Sequence, residues 1–182
     1  MVQVKTLCAL VPAVVLAVSS AHVLAQATGG TADATIASIK AQHEIVKGYV
    51  TKAAAQVPDA LYKYQPTKEV RTMGQVFGHI ANASRMICGT ASGMKSTATG
   101  DAEKLATKAE IQKALAEAFS ECDHAFSMIT AANANEPVTL LGQSHTRVGG
   151  MAFNNAHNFE HYGNIVTYMR MNNLVPPSSG GK

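Results

Sequence analysis

Apolar residues recur along this chain at spacings that alternate between three and four. Ile36, Ile39, His43, Val46, Val50, Ala53 and Val57 form one such stripe, the pattern of a helix with a single buried face. It predicts a first helix over about residues 32–57, ended by Pro58-Asp59. A second helix is expected from Thr72, a suitable N-cap, with Met73, Val76, Phe77, Ile80 and Ile87 on its inner face. It fades into a Gly/Ser/Thr-rich stretch over 89–100, which reads as a loop. Thr107 and Glu110 make a T-x-x-E capping box. Behind it Ile111, Leu115, Ala118, Cys122, Ala125, Phe126 and Ile129 mark a third helix. A fourth is expected over 148–172, carrying Met151, His157, His161, Ile165 and Met169, with Pro176-Pro177 forbidding its continuation. Residues 133–147 read as irregular, with a short extended piece over 138–141. Four long helices and almost no strand predict an all-α, four-helix up-and-down bundle, most simply alternating up-down-up-down.

The start of the chain changes the domain picture. Lys5 precedes an apolar run from Leu7 to Val18. That run is too short to span a bilayer, which takes roughly 20 residues. With small residues at Val23-Leu24-Ala25 and Ala25-Gln26-Ala27, it predicts a signal peptide over 1–25, cleaved after Ala25 or Ala27. The bundle is then expected over 32–179, with a short tail over 180–182, and the protein is expected to be periplasmic or secreted. Fifteen Lys and Arg against twelve Asp and Glu give a net charge of +3, or +2 without Lys5. The basic residues are scattered, which argues against nucleic acid or a membrane surface as partner. Cys88 and Cys122 remain after cleavage. An oxidising compartment favours a bridge between them. A simple hairpin of helices two and three opposes it, because the two positions would differ by ~22 Å in height. Both readings stay open.

Chemistry concentrates in the histidines. His157 and His161 lie one turn apart, so both imidazoles point the same way. His79 stands on the face of the second helix. Counting 1.5 Å per residue puts all three near mid-bundle. Three imidazoles suit a divalent transition metal and leave a coordination position open. The same count disfavours His43 as a fourth ligand and assigns it to the core. His124 and His145 read as surface residues. Glu160 directly precedes His161, so the pattern is not HExxH and a metalloprotease is disfavoured. A solvent-facing role fits it better than a catalytic one. No nucleophile elbow, phosphate loop or dinucleotide fingerprint occurs, so no catalytic residue is nameable.

Pro66-Thr67-Lys68-Glu69-Val70-Arg71-Thr72, Gly78-His79-Ile80-Ala81-Asn82-Ala83, His157 to Asn164, Tyr168-Met169-Arg170 and Pro176-Pro177-Ser178-Ser179 together resemble the damage-inducible DinB-like metalloenzymes, over about residues 39–179. The resemblance implies a four-helix bundle, a zinc or nickel ion held by His79, His157 and His161, and a homodimer as a common assembly. It also implies thiol-dependent transfer or isomerisation among the activities. An exported chain would meet few small thiols, which makes metal-activated water the more portable chemistry. The expectation is therefore an exported metal-dependent hydrolase acting on an unidentified small molecule. The alternatives are a non-catalytic metal-binding or stress-related bundle, a thiol-dependent transferase, and an interaction protein with structural histidines.

Overall fold

In a computed structural model, residues 19–95 and 100–180 are described. Helix α1 spans Ser19–Gln56, α2 Met73–Ser92, α3 Lys108–Met128 and α4 Arg147–Met171. Most of the expected leader, residues 1–18, lies outside the described residues, and the expected cleavage positions fall in the first turns of α1. Among the described residues, no helix is long and apolar enough to cross a membrane.

The helix starts follow local chemistry. Thr72 and Thr107 each close a capping box, with Gln75 and Glu110, so two orphan donors are satisfied reciprocally at each start. Thr146 accepts from the Gly149 N–H at the start of α4. Helix α2 ends on Gly93 at φ 76°, a left-handed cap that a Cβ would strain. The predicted stripes are buried: Val46, Val50, Ala53 and Val57 on α1, Met73, Val76, Phe77, Ile80 and Ile87 on α2, Ile111, Leu115, Ala118, Cys122, Ala125 and Phe126 on α3 with Ile129 at its C-cap, and Met151, Ile165 and Met169 on α4.

The all-α, four-helix class agrees with the sequence, but the simple alternation does not hold between α2 and α3. Gly74 faces Ile111 near their starts, Arg85 pairs with Glu117 at 3.0 Å, and Cys88 is bonded to Cys122, so α2 and α3 run parallel. Tyr168 Oη donates to the Arg71 carbonyl at 3.0 Å, and a Cβ on Gly150 would meet the side chain of Ala91, so α4 is antiparallel to α2. It is parallel to α1, as Asn155 with Ile39 and Gln56 with Val175 show. The direction is therefore up-down-down-up, and the connection between α2 and α3 is a crossover, since α3 begins level with the start of α2. That crossover carries a 3-10 turn, Ala102–Lys104, packed flat on α2. A Cβ on Gly78 would overlap the Ala102 carbonyl group and lie 2.8 Å from the Glu103 nitrogen. Glycine is what permits this close approach.

The crossover also decides the cysteines. Cys88 lies sixteen residues after cap Thr72 and Cys122 fifteen after cap Thr107. In an antiparallel hairpin those positions are far apart, whereas in parallel helices they are level. The Cα atoms are 5.2 Å apart and both residues are fully buried.

Residues 133–147 hold more structure than expected. Strands β1 (Pro137–Leu140) and β2 (Gln143–Thr146) form an antiparallel hairpin. Its two turn residues, Leu141 at φ 52° and Gly142 at φ 78°, are both left-handed, as a type I′ turn requires. Leu140 packs into a small apolar cluster with Ala83 and Ile87 on α2. After α4 the chain folds back, and Ser178 both accepts from and donates to the Tyr162 hydroxyl at 3.0 Å.

Candidate metal centre

Antiparallel packing of α2 on α4 assembles the histidines. Tyr168 meets Arg71; seven residues back along α4 is His161, and eight residues on from Arg71 is His79. His157 lies one further turn along. The three Nε2 atoms converge, His157 to His79 at 3.2 Å and His161 to His157 at 3.1 Å. One nitrogen from each of the three lies within 4.8 Å of the other two, so the group can hold a metal ion. All three side chains are half-buried.

The other ring nitrogens are held from behind. His79 Nδ1 lies 2.7 Å from Glu103 Oε1. A carboxylate can only accept, so Nδ1 carries the proton and Nε2 presents its lone pair to the centre. His157 Nδ1 lies 3.5 Å from Asn158 Oδ1, which is fixed in turn by Ser84. His161 Nδ1 lies 3.3 Å from Asn164 Nδ2, an amide donor, so here the ring nitrogen accepts; the amide turned over would offer its oxygen instead. Burial, then repulsion from His157 and His79, pushes the His161 pKa down to about 4. Burial also lowers His157. Neutral imidazoles whose Nε2 atoms converge are a donor set that zinc or nickel takes. Three imidazole nitrogens within reach of one point fit such an ion.

Glu103 is the feature that spacing did not reveal. It sits on the crossover, accepting from His79 through one oxygen and from Arg71 Nε through the other at 2.8 Å. Partial burial opposes its ionisation, but the hydrogen bonds and charges of Arg71 and His79 outweigh this and hold its carboxyl below the ordinary range. The turn that carries it is clamped by Asn82, whose amide donates to Asp101 Oδ1 at 2.6 Å and accepts from the Ala102 N–H at 2.9 Å. Asp101 also accepts from the Glu103 N–H. The only sequence signal for this is an Asp-x-Glu step inside a polar connection, which resembles any capped turn.

The remaining histidines separate from the centre as expected. His43 is fully buried against Phe119 and Phe126, with Nε2 2.9 Å from Asp123. Glu44 and Asp123 stand near enough to make a second potential donor group with it. The Lys47 ammonium already occupies the cation position there, 2.6 Å from Glu44 and 3.0 Å from Asp123. His124 is exposed, while His145 is partly covered by Phe153. Glu160 faces solvent.

Beside the triad lies a cleft of about 640 Å³, bounded by the segment before α2 and by α4, with His161, Arg71 and Tyr168 in its wall. That volume suits a small-molecule ligand.

The sequence profile of the DinB superfamily matches residues 26–165. A crystal structure of a DinB-like protein from Bacillus cereus ATCC 10987 superposes with a TM-score of 0.64 at 16% identity, covering 72% of this chain and 89% of that one. The likeness at that identity concerns the fold. No curated protein matches the sequence.

Proposed function

Because the chain belongs to the DinB superfamily, we propose that His79, His157 and His161 hold a divalent zinc or nickel ion and that the protein is an exported metal-dependent hydrolase. The observation that carries this reading is the convergence of three Nε2 atoms, one locked by a carboxylate, beside an open cleft. When bound, such an ion supplies Lewis acidity, polarising a substrate oxygen or acidifying a water. The chain's own residues set the conditions for that. Glu103 fixes the His79 tautomer and adds negative charge behind it. Burial keeps His157 and His161 unprotonated at neutral pH. Asn158 and Asn164 hold the orientation of the two α4 rings, and the cleft presents a substrate from the His161 side.

Export is supported by the apolar leader and by the buried Cys88–Cys122 disulfide, since such bonds persist in oxidising compartments. The same disulfide disfavours the thiol-dependent transferase, whose cosubstrate is a reduced small thiol. A non-catalytic metal-binding bundle would lack the cleft at the triad. Residues 1–25 are the proposed leader and 32–179 the working domain; a homodimer is the proposed assembly.

Elemental analysis of purified protein beside His157→Ala tests the site. One zinc or nickel per chain in the parent and none in the variant is expected. Equal metal in both would overturn the assignment. Hydrolysis of a panel of esters, amides and phosphoesters, abolished by chelator and restored by the ion, would establish the reaction class.

A further inference from the structure

We infer that the cleft beside the triad takes a small organic anion, with the Arg71 guanidinium receiving its carboxylate or phosphoryl oxygens. The inference deepens the metal reading by naming the substrate class, and rests on that reading only for where the reacting group would sit.

Arg71 is held at two points and left open at a third. Its carbonyl accepts from Tyr168 Oη at 3.0 Å, and its Nε donates to Glu103 at 2.8 Å. Its two terminal nitrogens have no acceptor among the described residues, and the side chain is 43% exposed. A guanidinium fixed through Nε and free at both ends is a rigid fork for two parallel hydrogen bonds to a carboxylate or phosphate.

Charge around the cleft points the same way. Lys68 stands on the wall with no ion-pair partner among the described residues, and Glu69 is the one opposing carboxylate in the lining. Glu103 is taken up between His79 and Arg71. Gln75 lines the cleft and uses its amide oxygen in the capping box, leaving its amide nitrogen without an acceptor among the described residues. The lining is therefore richer in donors than in acceptors. An anion held on Arg71 would lie alongside His161, which shares the cleft, so its neighbouring bonds would face the triad.

Titration calorimetry of succinate and of methyl phosphate into metal-free and zinc-loaded protein tests this. The parent is expected to bind at least one of the two in both forms, and the preferred anion distinguishes carboxylate from phosphoryl recognition. Arg71→Met should weaken that binding at least tenfold in both forms while zinc stoichiometry stays at one per chain. Arg71→Lys should lose nearly as much, because an ammonium lacks the fork, while keeping a cation beside Glu103. Should Arg71→Met fail to fold, Arg71→Lys decides, together with a several-fold loss expected for the rim variant Lys68→Met. Parent protein that binds neither anion, or Arg71 variants within twofold of it, would overturn the inference even with zinc bound. Failure to bind zinc would overturn the metal reading instead, and the Arg71 dependence in the metal-free protein would still decide this one.

Discussion

Replacing Glu103 by glutamine should cost this protein most of its metal affinity without touching a ligand. The substituted amide can still accept from His79 Nδ1, so the tautomer survives and the loss isolates the charge. Removing a carboxylate behind a ligating histidine typically costs about 10–100-fold in affinity, or about 1.4–2.7 kcal/mol. Two features of this site place the effect in the upper half of that range. The Glu103–His79 contact is short, at 2.7 Å, with both side chains about three-quarters shielded from solvent. Glu103 also neutralises Arg71, whose charge already acts against protonation of His157 and His161. Without the carboxylate that cation stands uncompensated beside a site meant for another. The assay is competitive zinc titration against a chelating dye at pH 7.5, with Glu160→Gln as control. Glu160 is solvent-facing and reaches His157 and His161 through charge alone, so its loss should weaken affinity far less than that of Glu103. Glu103→Gln within twofold of the parent would refute the argument.

Other outcomes follow from the same geometry. Cys88→Ala/Cys122→Ala opens a loop with a sequence separation of 34 residues and should lower stability by about 4 kcal/mol in reversible denaturant unfolding; a loss under 1 kcal/mol would contradict the loop-entropy account. Gly78→Ala forces a methyl into the Ala102 backbone and should cost about 1–3 kcal/mol, with weaker zinc binding as Glu103 is displaced; an unchanged unfolding midpoint would show that the crossover yields freely. In the metal-free protein, folded His161 and His157 titrate below an unfolded histidine at ~6.5, so the unfolded chain binds more protons between that pH and about 4. This stability is complete above pH ~6.5 and lost as pH falls toward 4. Unfolding midpoints measured at pH 7.5, 5.5 and 4.5 should descend, less steeply in His161→Asn; equal slopes would remove these histidines from the account.

The helices were legible because each writes its own periodicity and two of the caps are local motifs. The triad was legible for a related reason: His157 and His161 share one helix face, and His79 sits on another buried stripe. The relative direction of α2 and α3 was not legible. Nothing between Gly89 and Ala106 shows whether the chain turns back at once or first returns along α2. Packing of Ala102 on Gly78 decides it, through a tertiary contact between residues that are unremarkable alone. Cys88 and Cys122 inherited that ambiguity. Glu103 was hidden for the same reason, as its partners Arg71 and His79 are 32 and 24 residues away. The hairpin was missed because Leu141-Gly142 offers one glycine where two left-handed residues are needed.

The Cys88–Cys122 bond also makes a covalent ring, and Glu103 lies inside it. Cutting the backbone at any one peptide bond between the two cysteines opens the ring without releasing a fragment. The pieces still travel together until a reductant is added. The two halves of the centre itself, His79 on one side of such a cut and the α4 histidines on the other, would remain one molecule. The connection between α2 and α3, which carries the carboxylate behind His79, is thus tethered at both ends.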